Sequence, residues 1–312
     1  MQRFLVTGGA GFIGSNVCRR LVGEGCSVRV LDNLLTGKKS NLAGILEKVD
    51  FVEGDMGDPE VARLAMRDID VVLHFGALPS VPLSVDNPVP THQHCVNATF
   101  NLLVAARDTG VKRFVYSASS SAYGDSPTMP KVETMPTRPL SPYAVGKLVG
   151  EYYCSVFYKI YGLETIALRY FNVFGPYQDP NSQYAAAIPA FVMSIMRDQS
   201  PTVYGDGEQS RDFTYIDNVV DANLKAARAE KTMGDVVNIA CGQAVTINEI
   251  IGMINRIVGK EVAPAYEPER AGDVKHSLAD ISAARRLIGF EPMVSFEDGL
   301  QKAITWYREN LL

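Results

Sequence analysis

The sequence has no apolar run near the length of about 20 residues that an α-helix needs to cross a bilayer. It also has no basic run longer than Lys38-Lys39, which we interpret as part of a solvated loop. A formal net charge of −5 argues against a nucleic-acid surface. Because a strand-like segment already begins at Phe4, we expect no signal peptide. We therefore expect a cytoplasmic protein whose partners include neither a membrane nor a nucleic acid.

Cysteine and histidine are also scarce. None of the five cysteines stands in a Cys-x-x-Cys arrangement, which favours a reduced compartment and buried thiols. Of the four histidines, His92 and His94 are two positions apart and cannot share a helix face, and no carboxylate cluster accompanies them. No metal site is predicted. The cysteines are Cys18, Cys26, Cys95, Cys154 and Cys241.

What remains is the composition of a globular enzyme, with 46% apolar and 21% charged residues in a chain of 312. That length allows one large domain or two moderate ones with a well-buried core. No repeat, low-complexity segment or flexible linker interrupts the chain.

The amino-terminal segment has the pattern of a dinucleotide site. A predicted strand, Arg3–Thr7, runs into glycines at 8, 11 and 14, and an apolar-periodic helix follows. Glycines at this spacing let the backbone turn tightly and approach a pyrophosphate at the helix N-terminus. A second predicted strand ends at Asp32, 18 positions after Gly14, near the expected place of the carboxylate that holds the adenosine ribose. Since that carboxylate would repel a 2′-phosphate, we favour NAD over NADP.

Strands and helices alternate along the chain, which predicts a parallel sheet with crossover helices and ligands at the carboxyl ends of the strands. After Asn172 the rhythm changes, and a smaller lobe is expected across the open edge of the sheet. The predicted domains are 1–171 and 172–312, with some segments of the second expected to return to the main sheet. The predicted strands are 3–7, 28–32, 50–53, 70–74, 112–117 and 164–169, and the predicted helices are 87–109, 142–161, 185–197, 217–229, 247–258 and 296–310.

The stretch from Ser141 to Lys147 carries the candidate chemistry. Ser141 can cap a helix and Pro142 suits its first position, so Tyr143 and Lys147, four apart, share one face. To act as a base at neutral pH, a tyrosine must have its pKa lowered by about 3 units, or about 4 kcal/mol. One cation at about 4 Å supplies about that much at an effective dielectric near 20. A tyrosine packed under a lysine stem is the alternative interpretation of the pair alone.

Several motifs together resemble the extended short-chain dehydrogenase/reductases, over essentially the whole chain. Within that family the chain is most similar to the UDP-hexose 4-epimerases, and among them to the UDP-N-acetylglucosamine 4-epimerase subgroup. The resemblance implies a Rossmann-type doubly wound parallel sheet with a smaller mixed α/β C-terminal substrate lobe. The motifs are Gly8-Gly-Ala-Gly11-Phe-Ile-Gly14, Ser117-Ala-Ser119, Tyr143-x-x-x-Lys147, Arg169-Tyr-Phe-Asn172 and Gly205-Asp-Gly-x-x-x-Arg211-Asp-Phe213.

The same resemblance implies the site residues. Tyr143 is the expected base, Lys147 holds the nicotinamide ribose and lowers the tyrosine pKa, and Ser119 bonds the sugar hydroxyl. The other expected contacts of the cofactor, NAD, are Gly8, Gly11, Phe12, Ile13, Gly14, Asp32, Asn33, Asp55, Met56, Phe75, Gly76, Ala77 and Asn97. The expected contacts of the UDP-sugar are Ser80, Ser119, Ser120, Asn172, Val203, Tyr204, Arg211, Arg270, Asp273 and Ser277.

Two positions depart from the pattern of the glucose-type epimerases. Pro79 stands where many have a lysine near the cofactor phosphates, so that contact is expected to be missing. Ser277 stands where glucose-restricted bacterial enzymes carry a bulky tyrosine, and a serine leaves room beside the C2 substituent of the sugar. The segments Gln178–Asn181 and Tyr184–Pro189 also resemble the subgroup that acts on N-acetylated substrates. We therefore expect UDP-GlcNAc and UDP-GalNAc as substrates, and additional activity on UDP-Glc and UDP-Gal stays open.

Other functions stay open at this point. A 4,6-dehydratase would need an Asp-Glu pair where Ser120 and Ser121 stand, which argues against it. The motifs do not exclude a decarboxylase of a UDP-uronate. An NAD-sensing binding protein that had lost catalysis is a third possibility, although the Ser, Tyr and Lys set is intact.

In similar proteins two helices pair across a homodimer interface, and a homodimer is therefore expected here. Core packing is the alternative interpretation of their apolar residues. The residues in question are Tyr153, Phe157 and Tyr161 on the tyrosine helix and Leu102 and Leu103 on the helix before it.

Overall fold

Seven parallel strands form the central sheet of this protein, in the order β11-β6-β5-β4-β1-β2-β3. The computed structural model describes residues 2–180, 187–269 and 275–312. In those residues the strands are β1 Arg3–Thr7, β2 Ser27–Asp32, β3 Asp50–Glu53, β4 Val71–His74, β5 Arg113–Ser119, β6 Glu164–Tyr170, β7 Val173–Phe174, β8 Thr202–Tyr204, β9 Ser210–Asp212, β10 Thr214–Tyr215, β11 Asp235–Ile239, β12 Ala244–Thr246 and β13 Ala265–Glu267. The predicted Rossmann-type fold is confirmed.

Helices cover both faces of the sheet because successive strand residues point to opposite sides. Phe4 and Val6 of β1 pack with residues of α1 and α8, whereas Leu5 packs with residues of α2, α5 and α6. The helices are α1 Phe12–Gly23, α2 Pro59–Ala65, α3 Val81–Asp86, α4 Pro88–His92, α5 Ala98–Thr109, α6 Pro142–Tyr161, α7 Ala187–Met196, α8 Ile216–Arg228, α9 Ile247–Val258, α10 Ser282–Ile288 and α11 Phe296–Leu311.

The predicted helix over 87–109 is interrupted. A π-helical segment, Gln93–Asn97, separates α4 from α5, and apolar periodicity alone could not predict it. The short helix α3 precedes it, with Ser80 as its N-cap: the Ser80 Oγ accepts the amide of Leu83 at 3.2 Å. One predicted sugar contact is thus also a helix cap.

The second half of the chain forms small two-stranded sheets and then returns to the main sheet through β11. Helix α8 also returns, because its apolar face packs beside α1. The predicted division at 171 and 172 stays a prediction.

The segment 175–180 lies between the first helix and the last. Asn16 of α1 donates to the Pro176 carbonyl at 3.1 Å. Tyr177 packs between the Arg19 guanidinium, 4.5 Å from its ring centroid, and the Trp306 ring at 4.9 Å. The Tyr307 hydroxyl donates to the carbonyl of Gly175 at 3.1 Å. The segment therefore ties α11 to α1.

Both lysines of the predicted solvated loop form ion pairs at the surface. Lys38 pairs with Asp179 at 2.6 Å and Lys39 with Glu53 at 2.7 Å, and all four side chains are more than a third exposed.

Three residues expected at the dimer interface belong to the core instead. Leu102, Leu103 and Phe157 are buried between α5, α6 and the sheet, so for them the core-packing alternative is correct. Tyr161 is exposed and Tyr153 is half-buried.

No helix among the described residues is long and apolar enough to span a membrane. The part of the chain that the structure describes likewise contains no group of three or more His, Cys, Asp or Glu side chains placed to bind a metal ion. All five cysteines are free thiols.

Candidate active site

The glycine turn after β1 leaves no space for side chains. Gly8 has φ +64°, and a Cβ there would lie 2.7 Å from the amide nitrogen of Gly76. A Cβ on Gly14 would lie 2.2 Å from the carbonyl oxygen of Gly8. Only glycine allows this close contact between the β1 turn, the start of α1 and the end of β4.

Helix α1 begins with unsatisfied amides at this turn. Gly11 is its N-cap and offers no side chain to accept a hydrogen bond, and the first turn contains no acid. The N–H groups of Phe12, Ile13 and Gly14 and the positive end of the helix dipole together suit an anion. The turn therefore fits the pyrophosphate of a dinucleotide.

Asp32 ends β2 beside the turn and is almost buried, at 7% exposure. Its carboxylate accepts the amides of Ala10 at 2.9 Å and Leu34 at 2.8 Å. Burial raises the pKa of Asp32, and the two amide hydrogen bonds oppose that shift. Besides the predicted ribose contact, Asp32 thus fixes the shape of the glycine turn, a role that sequence analysis did not find.

The other predicted cofactor residues follow β2, β3 and β4 along the same edge. Asn33 donates to the Asp55 carboxylate at 3.0 Å. Met56 lies against Gly76, where a Cβ would be 2.4 Å from its terminal methyl. Half-buried members of the set are Phe12, Ile13, Phe75 and Ala77, and Asn97 is exposed at the end of the π-helical segment.

The tyrosine helix starts as predicted. The Ser141 Oγ accepts the amide of Ala144 at 3.2 Å, and Pro142 is the first residue of α6. Lys147 is buried, and its Nζ donates to the Ser117 carbonyl at 2.7 Å and lies 5.2 Å from the Tyr116 ring centroid. The lysine is therefore anchored on β5, two residues before Ser119.

Sequence analysis predicted a lowered pKa for Tyr143, and the protein groups alone do not produce it. Burial raises the pKa of Tyr143, Cys95 adds to that shift, and a hydrogen bond with Ser119 opposes it. Ser119 therefore lies within hydrogen-bonding reach of Tyr143. The Lys147 ammonium donates to a backbone carbonyl and lies beside the Tyr116 ring.

Ser119 has a second hydroxyl beside it. The Ser119 Oγ accepts the Ser121 hydroxyl at 2.8 Å and the Ser121 amide at 3.2 Å. Ser120 is half-buried at the start of the same turn. From the sequence, Ser121 served as an argument against a 4,6-dehydratase, and nothing in its spacing indicated this contact.

Three predicted substrate residues converge on β9. Asn172, in a positive-φ conformation at 35°, donates to the Asp212 carbonyl at 2.9 Å. Arg211 donates to the carbonyls of Ser210 and Lys275, both at 3.0 Å. The amide of Ser277 donates to the Ser210 carbonyl at 3.0 Å.

The remaining substrate predictions differ in outcome. The Val203 side chain is in the hydrophobic core, so only its backbone can face a ligand, whereas Tyr204 is half-buried. Arg270 and Asp273 lie outside the described residues.

A buried acid beside Arg211 was missed. Asp212 accepts the amides of Cys241, Gly242 and Ala279, and burial raises its pKa from an ordinary 3.8 to about 6. It fixes the β9 backbone from which Arg211 projects. A single charged residue in a polar stretch gave no signal of burial.

A family profile described as the NAD dependent epimerase/dehydratase family matches residues 4–240. The chain belongs to this family. Its cofactor is NAD, which agrees with the side-chain-free turn and the uncapped start of α1.

Members of this epimerase/dehydratase family with assigned substrates are similar over their full length. The putative UDP-glucose 4-epimerase of Methanocaldococcus jannaschii is 37% identical over 308 residues, which cover 98% of each chain. Among solved structures, a UDP-N-acetylglucosamine 4-epimerase from Methanobrevibacter ruminantium M1, in complex with UDP-N-acetylmuramic acid, has a TM-score of 0.95 at 40% identity and 99% coverage of both chains. A UDP-glucose 4-epimerase from Thermotoga maritima with UDP-glucose has a TM-score of 0.95 at 36% identity and 100% coverage of both chains.

Proposed function

We propose that this protein is an NAD-dependent 4-epimerase of UDP-hexoses, acting on UDP-GlcNAc and UDP-GalNAc and also on UDP-Glc and UDP-Gal. The observation that carries the proposal is the placement of Ser119, Tyr143 and Lys147 together, at the carboxyl end of β5 and on α6. The glycine turn lies at the same edge of the sheet, two strands away.

Each member of this set has a defined task. Tyr143 is the base that takes the proton from the 4-hydroxyl of the sugar, and Ser119 holds that hydroxyl by a hydrogen bond. NAD, when bound, would supply the site with a hydride acceptor and donor for C4, and the positive charge of its nicotinamide ring would favour the phenolate of Tyr143. Lys147 holds the nicotinamide ribose with its buried ammonium and adds to that field.

The UDP part of the substrate must stay bound while the hexose rotates, between removal of the C4 hydride and its return to the opposite face. Arg211 suits the diphosphate because guanidinium groups match phosphate oxygens, and Asn172 lies beside it. Around the hexose we place the small side chains Ser80, Ser120 and Ser277, which leave room for rotation. Tyr204 and the Val203 backbone would lie near the uracil.

Ser277 supports the N-acetylated substrates. Its amide is fixed to the Ser210 carbonyl, next to Arg211, so its side chain has a defined place beside the substrate site. A tyrosine there would occupy the space of a C2 acetamido group. Exclusion of this kind changes selectivity by about 1–3 kcal/mol.

To test the proposal, the protein is incubated separately with UDP-GlcNAc, UDP-Glc and UDP-glucuronate, and the products are resolved by chromatography. We expect UDP-GalNAc and UDP-Gal, and no turnover by Tyr143→Phe. Ser277→Tyr should lose turnover of UDP-GlcNAc by about tenfold or more while keeping that of UDP-Glc. Ser27→Tyr, at an exposed position at the start of β2, is the control. Release of carbon dioxide from UDP-glucuronate without epimerisation of the hexoses would identify a decarboxylase instead.

We also propose a homodimer formed through α6. The exposed apolar residues Val145, Tyr152, Val156 and Ile160 share one face of that helix, and Ile160 is 67% exposed. Light scattering should give twice the chain mass for the wild type and the mass of one chain for Val156→Asp/Ile160→Asp. Met293→Asp, which changes an exposed apolar residue elsewhere, should stay dimeric. A wild-type protein of single-chain mass would contradict the proposal.

A further inference from the structure

A buried ion pair joins α6 to the sheet one helical turn beyond Lys147. Arg169 of β6 donates through Nε to one carboxylate oxygen of Glu151 at 2.9 Å and through Nη2 to the other at 2.7 Å. The two side chains are only 3% and 4% exposed. The motifs Tyr143-x-x-x-Lys147 and Arg169-Tyr-Phe-Asn172 therefore meet through residues that sequence analysis gave no role.

Stability alone does not account for this pair. Among the residues that the structure describes, the buried Nη1 of Arg169 has no hydrogen-bond partner, and the guanidinium packs 4.6 Å from the ring centroid of Tyr123. Removing two charges from water is costly, and an incompletely satisfied buried pair is often no more stable than apolar side chains of similar volume.

The pair and the lysine contact neighbouring points of the sheet. Lys147 is anchored to the Ser117 carbonyl on β5, and Glu151 is anchored to Arg169 on β6, which lies opposite Ala118 in the strand register. Two polar contacts, one turn apart on α6, thus fix the helix along its axis. Tyr143 lies one turn before Lys147, so the same contacts set its distance from Ser119.

The pair also shapes the charge around the lysine. The titratable or charged groups around the Lys147 ammonium are Cys95, Tyr116, Tyr143, His74, Glu151 and Arg169. Burial lowers the pKa of Lys147, whereas Cys95 and Glu151 oppose that shift. His74 is neutral, because burial and the lysine lower its pKa to about 3. Glu151 is the carboxylate of this group.

We propose that Glu151, held by Arg169, is a positioning residue that sets α6 on the sheet and keeps the Lys147 ammonium charged for its work in the active site. The inference rests on the proposed function, since the ammonium matters there for NAD and for the tyrosine. Glu151 acts through Lys147 and touches neither substrate nor cofactor.

Two variants separate position and charge from folding. Glu151→Gln keeps the shape of the side chain and leaves Arg169 without a counter-charge, so the alkaline limb of kcat should move to lower pH by about one unit. We expect kcat to fall by about tenfold or more with little change in the KM of the UDP-sugar. Glu151→Leu/Arg169→Met removes both charges. Its thermal midpoint of unfolding should return toward the wild-type value, while the alkaline limb of kcat should stay at lower pH than in the wild type.

The matched control is a second ion pair, which joins β5 to β6, the two strands that anchor α6. Arg113 and Glu164 are opposite each other at the amino ends of β5 and β6, and Arg113 Nε donates to Glu164 at 3.0 Å. Glu164→Gln should lower thermal stability and leave the alkaline limb and kcat in place.

A second readout does not depend on turnover. The affinity for NAD, measured by calorimetry across the alkaline range, should fall at lower pH in Glu151→Gln than in the wild type, because Lys147 loses its proton earlier. Wild-type protein that binds NAD but converts no UDP-sugar would count against the proposed function, while this profile would still test Glu151. The inference is overturned if the limb and the NAD profile of both Glu151 variants match the wild type, or if Glu164→Gln shifts them equally.

Discussion

The glycine turn makes a sharp prediction, because helix α1 contains two glycines in opposite surroundings. A methyl group on Gly14 would lie 2.2 Å from the Gly8 carbonyl oxygen and 2.7 Å from the Gly9 Cα, and both contacts are backbone atoms that no rotamer change can move. A methyl group on Gly23, at the other end of α1, would meet no atom within 4 Å. Gly14→Ala and Gly23→Ala are thus the same change in one helix.

The two substitutions should change the free energy of unfolding in opposite directions. Alanine exceeds glycine in helix propensity by about 1 kcal/mol, which Gly23→Ala should gain in part or in full. Gly14→Ala must move backbone, and overpacking of this kind costs about 1–3 kcal/mol. At about 2–4 °C for each kcal/mol, the thermal midpoint should fall by several degrees for Gly14→Ala and rise slightly for Gly23→Ala.

The displaced backbone carries the amides that we expect to face the pyrophosphate, so NAD binding should weaken as well. A loss of about 1.4 kcal/mol would be tenfold in Kd, measured by calorimetry. Gly23→Ala should bind NAD as the wild type does. If Gly14→Ala melted at or above the wild type and kept its affinity for NAD, the contact between the turn and α1 would not be what requires glycine.

Three further predictions follow from buried groups. Gly150→Ala should destabilise the protein by about 1–3 kcal/mol, because its Cβ would lie 2.3 Å from the Tyr116 hydroxyl. Gly252→Ala, in open space on α9, is the control and should stabilise the protein. Denaturant titrations measure both changes. Burial raises the pKa of Asp212 from 3.8 to about 6, so its stabilising contribution is complete below about pH 4 and is lost as pH rises through 6. Over that range the free energy of unfolding of the wild type, relative to that of Asp212→Asn, should fall by about 3 kcal/mol at most. A difference that does not change with pH would contradict burial of the charge. Without NAD, the Tyr143 phenol should stay protonated to about pH 10 or above, because burial raises its pKa. The tyrosinate signal, measured as the difference between the ultraviolet spectra of the wild type and Tyr143→Phe, should appear at lower pH once NAD is added. A tyrosinate signal near neutral pH without NAD would refute this.

Local patterns were sufficient for six of the seven strands of the sheet and for most of its helices, whereas β11 was not among the predicted strands. Strand β1, the glycine turn and α6 with its Ser141-Pro142 start have signals within a few residues, and their bounds agree with the structure. The π-helical segment Gln93–Asn97 has no such signal, because an apolar stripe does not reveal one extra residue in a turn.

Contacts between distant residues were harder to predict. The Glu151–Arg169 pair joins positions 18 apart on two elements, and Asp212 is buried by amides that come from positions 241, 242 and 279. The direction of the Lys147 ammonium likewise depends on where β5 ends. Each of these requires the topology of the sheet before the side chains can be brought together.

Through its hydrogen bond to the segment 175–180, Tyr307 connects the last helix of the chain to the first. Since that segment also holds Asn16 of α1, removal of the final helix would remove one support of the helix whose amides we expect to face the dinucleotide. A truncated chain should therefore bind NAD more weakly, in addition to losing the core contacts of α11.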